Sequence, residues 1–432
     1  MKRKKILSLL APLVCAATLA TGCSWNQVTV TSIEKTASYA TEDIYTVSYS
    51  DGTSTDFTVR HGQDVTVQDI FDRYREEYGD TLTYAEFLDK YLKIDVAPTE
   101  SVVGEALLSS FSVTAANNRT VQTGSAVLYA VNEDKNDAYL ITNYHVTYMT
   151  NSYNGAVASR ITCSPFGSAQ ASFTCTYMGG SANSDIALLK ANLSDIKAVN
   201  DQIKPITFAQ GYSVGETVFA IGNAEGEGIS ATKGIISVDS EEILMEVDGT
   251  QRTHRAMRID AAIYHGNSGG GLFNRNGELV GITNGGDGDD QNINYAIPLS
   301  IVKGTADNIL HYYTTGSMAA GAYKIKLGID VLSKNTRFVY DETAGKGSVT
   351  EDLVVSGVSA FGIASSMGLK ENDVLKEIII NDQSFPLTRS YNIYDALLTA
   401  RAGDELKIVY TRSNEEKTSS VYTVEKSDLS MI

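Results

Sequence analysis

The sequence predicts a mainly β protein with a small mixed α and β module near its N-terminus. Short runs of β-forming residues, separated by turn residues, recur through the centre of the chain. They lie at 124–130, 139–146, 173–177, 217–222, 234–238 and 278–283. Short strands at close intervals are typical of an all-β sandwich or barrel. Because 432 residues exceed one ordinary domain, we expect two or three domains.

The N-terminal module is predicted to span 23–100 as a hairpin and two helices. Asp51-Gly52 separates two runs that alternate in polarity, which is a strong hairpin signal. Helix starts follow at Thr66 and Thr83, each with an acidic residue three positions later. We expect a spacer or docking element here. One further helix is predicted directly after Pro298.

The charge balance excludes several kinds of partner. The chain carries 52 acidic and 35 basic side chains, which gives a formal net charge of -17. Nucleic acids and anionic lipid surfaces would repel such a protein. We therefore expect no nucleic-acid partner and infer that the partners are proteins or peptides.

The first residues predict export. A basic start is followed by an apolar run over 6–20, which ends in Leu19-Ala20-Thr21-Gly22-Cys23. The run is short for a membrane-spanning helix and is typical of a secretory signal. Small residues before a cysteine resemble a bacterial lipoprotein processing site. This resemblance implies a signal peptide over 1–22, lipidation of Cys23 and an extracytoplasmic, lipid-anchored protein; ordinary signal cleavage is the alternative.

Cys163 and Cys175 remain as an even pair once the signal peptide and Cys23 are set aside. They flank a segment that reads as a hairpin loop. A cross-strand disulfide is geometrically possible in an oxidising compartment, and two buried thiols are the alternative.

Three short segments carry candidate catalytic residues in the order histidine, aspartate, serine. His145 lies in Ile-Thr-Asn-Tyr-His-Val, Asp185 in Ser-Asp-Ile-Ala-Leu-Leu-Lys, and Ser268 in Gly-Asn-Ser-Gly-Gly. A serine hydroxyl is a poor nucleophile near neutral pH. It needs a neutral imidazole to take its proton and a carboxylate to orient that imidazole. The three residues therefore predict nucleophilic catalysis.

The chain resembles the HtrA (Deg) branch of the chymotrypsin-like serine proteases over about 200 residues. The matching segments are 123–125, 141–146, 184–190, 220–223, 260–272, 278–282 and 294–298. The resemblance implies a double β-barrel over 101–316 and a serine endopeptidase that forms an acyl-enzyme on Ser268. It also implies a homotrimer, unfolded or regulatory envelope proteins as substrates, and no metal or cofactor. A catalytically idle peptide-binding chaperone or sensor is the competing hypothesis.

The same resemblance implies an oxyanion hole and a specificity pocket. The backbone N–H groups of Gly266 and Ser268 would bind the developing oxyanion. Trypsin-like enzymes place an aspartate six residues before the serine, where this chain has Ala262. Ala262 and Ile263, with Ile282 and Thr283, are expected to form an apolar pocket for small or medium aliphatic side chains.

Position 267 also departs from the digestive branch of the fold, in which an aspartate pairs with a newly cleaved N-terminus. Asn267 has no charge, so we expect neighbouring loops, subunits and peptide binding to set the oxyanion loop. His265, three residues from Ser268, is not expected to be the base. His254 is expected in a surface loop.

The C-terminal segment 322–428 resembles a PDZ domain. The resemblance rests on a β-rich start, on Gly368-Leu369-Lys370-Glu371-Asn372-Asp373-Val374-Leu375, and on a helix-like stretch at 392–400. It implies that Leu327, Gly328 and Ile329 form a loop that captures a peptide C-terminus, and that the adjoining strand edge pairs with the peptide backbone. A generic β-rich appendage is the alternative.

Overall fold

The computed structural model describes residues 30–38, 42–60, 67–78, 83, 87, 99–150, 155–165, 171–287, 290–341 and 346–432. The chain divides into two compact units, Met1–Pro98 and Thr99–Ile432. Each unit is described by itself. Cys23 and the predicted signal peptide lie outside the described residues. No helix in the described part of the chain is long and apolar enough to cross a membrane.

The first unit contains a three-stranded antiparallel sheet. Its elements are β1 (Val30–Ser38), β2 (Glu42–Tyr49), β3 (Ser54–Arg60) and the helix α1 (Val67–Tyr78). The predicted hairpin is confirmed, since Oδ1 of Asp51 accepts hydrogen bonds from the N–H and hydroxyl of Thr53 in the turn. Helix α1 begins where predicted. Most of the second predicted helix lies outside the described residues, and β1 was not predicted.

The second unit begins with a closed six-stranded barrel. Its elements are α2 (Thr99–Leu107), β4 (Ser110–Ala116), β5 (Val121–Asn132), β6 (Asp137–Thr142), α3 (Tyr144–Thr147), β7 (Tyr148–Met149), β8 (Ala156–Val157), β9 (Arg160–Pro165), β10 (Phe173–Ser181), β11 (Ile186–Asn192) and α4 (Leu193–Val199). The barrel order is β10-β11-β6-β5-β4-β9, and β7 pairs with β8 outside it.

A second closed barrel follows. Its strands are β12 (Thr217–Gly222), β13 (Ser230–Val247), β14 (Thr250–Ile259), β15 (Gly271–Phe273), β16 (Leu279–Asp287) and β17 (Asp290–Pro298). The order is β12-β13-β14-β17-β16-β15. The mainly β fold and the double barrel are therefore confirmed.

One hydrophobic core joins the two barrels. Every residue of β6 and of β12 is buried, because one face fills its own barrel and the other packs towards the neighbour. The shared cluster includes Ile141 of the first barrel with Ile221 and Phe273 of the second. Burial of this apolar surface holds the barrels in a defined orientation, which is what a site between them requires.

A long helix connects the barrels to the C-terminal domain. Helix α5 (Leu299–Thr315) starts directly after Pro298, as predicted, and ends at Gly316 with φ 60. Buried Asn308 donates hydrogen bonds to the carbonyls of Tyr323 and Leu398 and accepts one from the N–H of Tyr323. The helix is thereby tied to the domain that follows it.

The C-terminal domain is built around an antiparallel sheet. Its elements are β18 (Tyr323–Ile325), β19 (Ile329–Asp341), β20 (Lys346–Val358), α6 (Ile363–Ser366), β21 (Val374–Ile380), β22 (Gln383–Pro386), α7 (Tyr391–Thr399), β23 (Glu405–Arg412), β24 (Glu415–Thr418), β25 (Tyr422–Thr423) and β26 (Leu429–Met431). The main order is β19-β20-β21-β23-β24, and β18 pairs with β26. Strand β19 is thus an edge strand of this sheet.

The two cysteines predicted as a pair lie diagonally across neighbouring strands, since Cys163 is opposite Phe173 and Cys175 is opposite Ile161. Cys163 on β9 and Cys175 on β10 are buried free thiols with their Sγ atoms 3.4 Å apart. A disulfide needs about 2.05 Å, so the structure contains the thiol pair. The hydrogen bond with Cys175, together with burial, raises the pKa of the Cys163 thiol well above its ordinary value.

Candidate active site

His145 lies on α3, the single helical turn that follows β6. Its Nδ1 is 2.7 Å from Oδ2 of Asp185, and its backbone N–H donates to Oδ1 at 2.9 Å. Burial by itself lowers the pKa of His145, but the charge and hydrogen bond of Asp185 outweigh it, and the pKa is raised above its ordinary value. Because Asp185 occupies Nδ1, the other ring nitrogen is the one left to exchange a proton.

Asp185 is held in place by its backbone as well as by its charge. Its side chain is fully buried, and its φ is 50. The carbonyl oxygen accepts hydrogen bonds from the N–H of Tyr144 at 3.1 Å and from Nδ2 of Asn143 at 2.8 Å. A non-glycine residue at positive φ persists where its surroundings hold it there. The segment before His145 therefore fixes both members of the pair.

Ser268 lies on a tight turn that requires glycine two residues before it and directly after it. Gly266 has φ 93, and a Cβ at that position would lie 2.2 Å from the carbonyl oxygen of Asn223. Gly269 has φ 87, and its Cβ would lie 2.1 Å from the carbonyl oxygen of Ser125. Any side chain at these positions would displace the backbone that presents the serine.

The turn carries the hydroxyl of Ser268 and the two backbone N–H groups that the sequence predicted as oxyanion donors. The hydroxyl of Ser268 donates a 2.7 Å hydrogen bond to the carbonyl of Asn284. The backbone N–H groups of Gly266 and Ser268 donate to no other group among the described residues. Two such donors on the turn that carries a nucleophile are what a developing oxyanion needs.

Ser125 connects the first barrel to this turn, and the sequence did not single it out for that role. Its N–H donates to the carbonyl of Ser268 at 2.8 Å, and its hydroxyl donates to the carbonyl of Gly266 at 2.7 Å. The same hydroxyl accepts the N–H of Asn223 at 2.8 Å. The only sequence feature that could have indicated this role is that Ser125 is a small polar residue that follows a glycine in a buried strand.

The neighbouring Gly124 brings the histidine and serine segments together. A Cβ at this position would lie 2.6 Å from Cγ1 of Val146 and 3.1 Å from the carbonyl oxygen of Ser268. Val146 directly follows His145. Strand β5 is therefore in contact with both segments, and it brings residues that are far apart in sequence to the junction of the two barrels.

The four residues predicted for the specificity pocket occupy two different environments. Ala262 and Ile263 are partly exposed beside the turn. Ile282 is fully buried in the core between the barrels, and Thr283 is 1% exposed. The hydroxyl of Thr283 donates to the carbonyls of Asn267 and Gly270. Ile282 and Thr283 therefore support the turn from behind, whereas the sequence predicted them as pocket walls.

The expectation for His254 was wrong. It lies in β14 and is buried, opposite Ile243 of β13, in the part of this hairpin that extends past the pairing of β14 with β17. Burial lowers the pKa of His254. Its neighbour Arg252 donates to Oδ1 of Asn183 at 2.9 Å, so the hairpin reaches the loop that carries Asp185.

The C-terminal domain contacts the second barrel through buried polar groups. Nη2 of Arg255 on β14 lies 2.7 Å from Oδ1 of Asp395 on α7, and the Ser300 hydroxyl donates to Oδ2 of Asp395 at 2.8 Å. The guanidinium of Arg255 also lies 4.3 Å from the ring centre of Tyr391. Burial raises the pKa of Asp395, and Arg255 partly offsets this. Helix α7 is thus anchored to the hairpin that reaches the Asp185 loop.

Leu327 and Gly328 of the predicted peptide-binding loop lie between β18 and the edge strand β19, and Ile329 is the first residue of β19. Leu327 is buried, and Gly328 has φ 73. The carbonyls of Leu327 and Gly328 accept hydrogen bonds from the N–H groups of Ala364 and Ser359. In the part of the chain that the structure describes, the N–H groups of Leu327 and Gly328 themselves donate to no backbone carbonyl.

Comparison with known proteins shows what this chain is similar to. The family model described as a trypsin-like peptidase domain matches residues 124–282. The serine protease Do-like HtrA of Lactococcus lactis subsp. cremoris (strain MG1363) is 29% identical over 312 residues, which cover 69% of this chain and 70% of that protein. A probable periplasmic serine endoprotease, DegP-like, of Buchnera aphidicola subsp. Baizongia pistaciae (strain Bp) is 29% identical over 57% of this chain and 48% of its own length. Among solved structures, the HtrA-type protease AlgW with tripeptide has a TM-score of 0.49 and 24% identity, covering 76% of this chain and 96% of that one.

The double barrel and the family-model match define a serine endopeptidase with a trypsin-like peptidase domain. The curated relatives support the narrower HtrA/Deg type of this family.

Proposed function

We propose that His145, Asp185 and Ser268 form the catalytic triad and that peptide bonds are cleaved through an acyl-enzyme on Ser268. The observation that carries the proposal is the 2.7 Å contact between Nδ1 of His145 and the buried carboxylate of Asp185, next to the turn of Ser268. His145 takes the hydroxyl proton as Ser268 attacks the substrate carbonyl, and it returns the proton to the leaving amine. Asp185 stabilises the imidazolium that forms in between.

Gly266 and Ser268 form the proposed oxyanion hole. Their N–H groups lie on one turn, and the hydroxyl of Ser125 fixes the carbonyl of Gly266 with a 2.7 Å hydrogen bond. The loss of one such donor lowers kcat by about 10² to 10³. Loop position therefore decides whether the triad is productive.

Ala262 and Ile263 are the proposed contacts for the side chain that precedes the scissile bond. Neither carries a charge, and Ile282 and Thr283, which were predicted to complete this pocket, lie behind the turn of Ser268. Small or medium aliphatic side chains such as Val, Ala or Leu fit this surface. Discrimination is modest because one methylene changes binding by only about 1 to 3 kcal/mol. Unfolded or regulatory envelope proteins are the proposed substrates.

The C-terminal domain is proposed to act as a PDZ domain over 322–428 that binds peptide C-termini and regulates activity. The free N–H groups of the Leu327-Gly328 loop and the exposed edge of β19 support peptide capture by strand addition. The ion pair between Arg255 and Asp395 supports a connection from this domain to the hairpin of β13 and β14. We propose that peptide binding shifts the oxyanion loop towards its productive position through that connection.

The remaining organisation is also a proposal. Residues 1–22 form a lipoprotein signal peptide, lipidated Cys23 anchors the mature chain outside the cytoplasm, 23–100 form a spacer or docking module, and 101–316 form the protease domain. The relative from Buchnera aphidicola is named as periplasmic, which supports the extracytoplasmic location. A homotrimer is proposed from the family resemblance.

Labelling with a fluorophosphonate probe tests the proposed site. The wild type reacts, and Ser268→Ala does not. Ser112→Ala, which removes a hydroxyl of the first barrel that contacts Ser164, serves as a control that keeps the nucleophile and its turn. A wild type that stays unlabelled, with a C-terminal peptide activator present, would instead favour the peptide-binding chaperone or sensor.

A further inference from the structure

A pocket of about 500 Å³ lies beside the turn of Ser268. It is lined by Tyr264 and by residues between β12 and the first residue of β13, namely Ala224, Glu225, Glu227, Gly228, Ile229 and Ser230. We call it the acidic pocket, because two of its lining residues are Glu225 and Glu227. None of the residues assigned above to catalysis or to the specificity pocket lines it.

The acidic pocket is built directly onto the reactive turn. The N–H of Glu225 donates a 2.6 Å hydrogen bond to the carbonyl of His265, and the carbonyl of Asn223 packs against Gly266. The carbonyl of Tyr264 accepts the N–H of Asn267 at 3.0 Å. A substrate whose carbonyl reaches Ser268 therefore passes within reach of this pocket.

The lining suits one kind of side chain. Glu225 and Glu227 are exposed, and neither forms an ion pair with any residue that the structure describes. Tyr264 is 45% exposed, and Ile229 is partly exposed. Lysine and arginine combine an apolar stem with a terminal cation. The stem fits against Tyr264 and Ile229, and the cation lies near the two carboxylates and the aromatic ring.

The pocket also lies on a defined side of the reactive turn. The carbonyl of Ile263, one of the two residues proposed to contact the side chain before the scissile bond, lies near Gly286, whereas Tyr264 lines the pocket together with Glu225 and Glu227. Ile263 and Tyr264 are adjacent in the chain and lie against different segments of the second barrel. A side chain from the other side of the scissile bond is the one that can reach the acidic pocket.

We propose that the acidic pocket binds a lysine or arginine side chain within two residues after the scissile bond, which makes Glu225 and Glu227 specificity-determining residues. The inference rests on the proposed role of Ser268. It gives the enzyme a preference for sites that combine an aliphatic residue before the bond with a cationic residue after it.

Quenched fluorogenic peptides test this with the full chain. Both peptides of a pair have valine directly before the scissile bond, and one carries lysine where the other carries glutamine. The position of this difference is varied over the three residues before the valine and the three residues after the bond. We expect about fivefold higher kcat/KM for lysine at the first or second position after the bond, and a smaller ratio at high salt. In the variant E225Q/E227Q the ratio falls to about one. The variant E242Q/E246Q has the same charge change on exposed residues of β13 and keeps the wild-type ratio.

The outcomes separate this inference from the proposed active site. If the wild type cleaves both peptides of every pair at equal rates, and Ser268→Ala abolishes this cleavage, only the inference about the acidic pocket is overturned. If E242Q/E246Q lowers the ratio of kcat/KM for the lysine and glutamine peptides as much as E225Q/E227Q does, the preference comes from net charge. That result also overturns the inference about the acidic pocket. If the wild type cleaves no peptide and does not react with a fluorophosphonate, both the acidic-pocket inference and the proposed active site are overturned.

Discussion

The backbone N–H of Ser125, in the first barrel, donates a 2.8 Å hydrogen bond to the carbonyl of Ser268, in the second. The hydroxyl of Ser125 donates in addition to the carbonyl of Gly266. The strand that borders His145 therefore also sets the position of the proposed nucleophile and oxyanion donor. Activity should depend on this junction as much as on the three residues of the triad.

Ser125→Ala should reduce both stability and activity. The substitution leaves the carbonyl of Gly266 and the N–H of Asn223 without their buried partner, at a cost of about 1 to 3 kcal/mol in the free energy of unfolding. We expect kcat to fall further than the folded fraction explains. Thermal unfolding and peptide cleavage measure the two effects. Ser112→Ala, which removes a buried hydroxyl that contacts Ser164, should lower stability alone. Equal specific activities of the two variants would contradict the role of Ser125.

Gly266→Ala should silence the enzyme without unfolding it. The new Cβ would lie 2.2 Å from the carbonyl oxygen of Asn223, so the turn must move. We expect a loss of about 10² to 10³ in kcat. Gly277 has a similar positive φ of 73, but its surroundings are open. Gly277→Ala therefore carries only the left-handed backbone strain, about 1 to 2 kcal/mol, and should retain its activity. An active Gly266→Ala would show that the turn can adapt.

The pH dependence of kcat/KM should reflect the raised pKa of His145. The neutral imidazole is the base, so the acid limb should have its midpoint above the ordinary value of about 6.5. Asp185→Asn removes the cause of the rise and leaves burial, so the midpoint should fall below that value and kcat should drop by about 10⁴.

The thermodynamic linkage between protonation and folding gives a second measurement on His145. A raised pKa in the folded state means that protonated His145 stabilises the fold below the unfolded pKa of about 6.5. This contribution is lost as the pH rises through the folded pKa. The difference in unfolding free energy between wild type and His145→Gln should therefore be larger at pH 5 than at pH 9, in samples carrying Ser268→Ala to prevent self-cleavage. A constant difference would contradict the contact with Asp185.

Asp395→Asn should weaken the attachment of the C-terminal domain. Only about one-eighth of the Arg255 and Asp395 side chains is exposed, at 12% and 14%. Breaking such a pair leaves a desolvated guanidinium, and we expect a loss of about 3 kcal/mol. Lys417→Gln breaks the exposed pair with Glu415 and should change stability by less than about 1 kcal/mol. Denaturant unfolding measures both, and equal midpoints would show that the domain contact contributes little.

The residue patterns were informative where chemistry or backbone geometry leaves few choices. The segments around His145, Asp185 and Ser268 predicted the candidate site because nucleophilic catalysis needs those groups. Asp51-Gly52 predicted a hairpin for a similarly local reason. The patterns failed at His254, since a long hairpin cannot be distinguished from a strand followed by a polar loop by composition alone.

Local sequence by itself determined the class of protein: a mainly β chain with a histidine, an aspartate and a glycine-flanked serine in a recognisable order. Only the tertiary structure decided which residues support that site. Ser125 and Gly124 matter because they lie between two segments that are distant in the chain, and Ile282 lies in the core because a second barrel covers it. Glu225 and Glu227 form a pocket with Tyr264 for the same reason. Contacts of this kind depend on the packing of whole barrels, and no local pattern of residues records that packing.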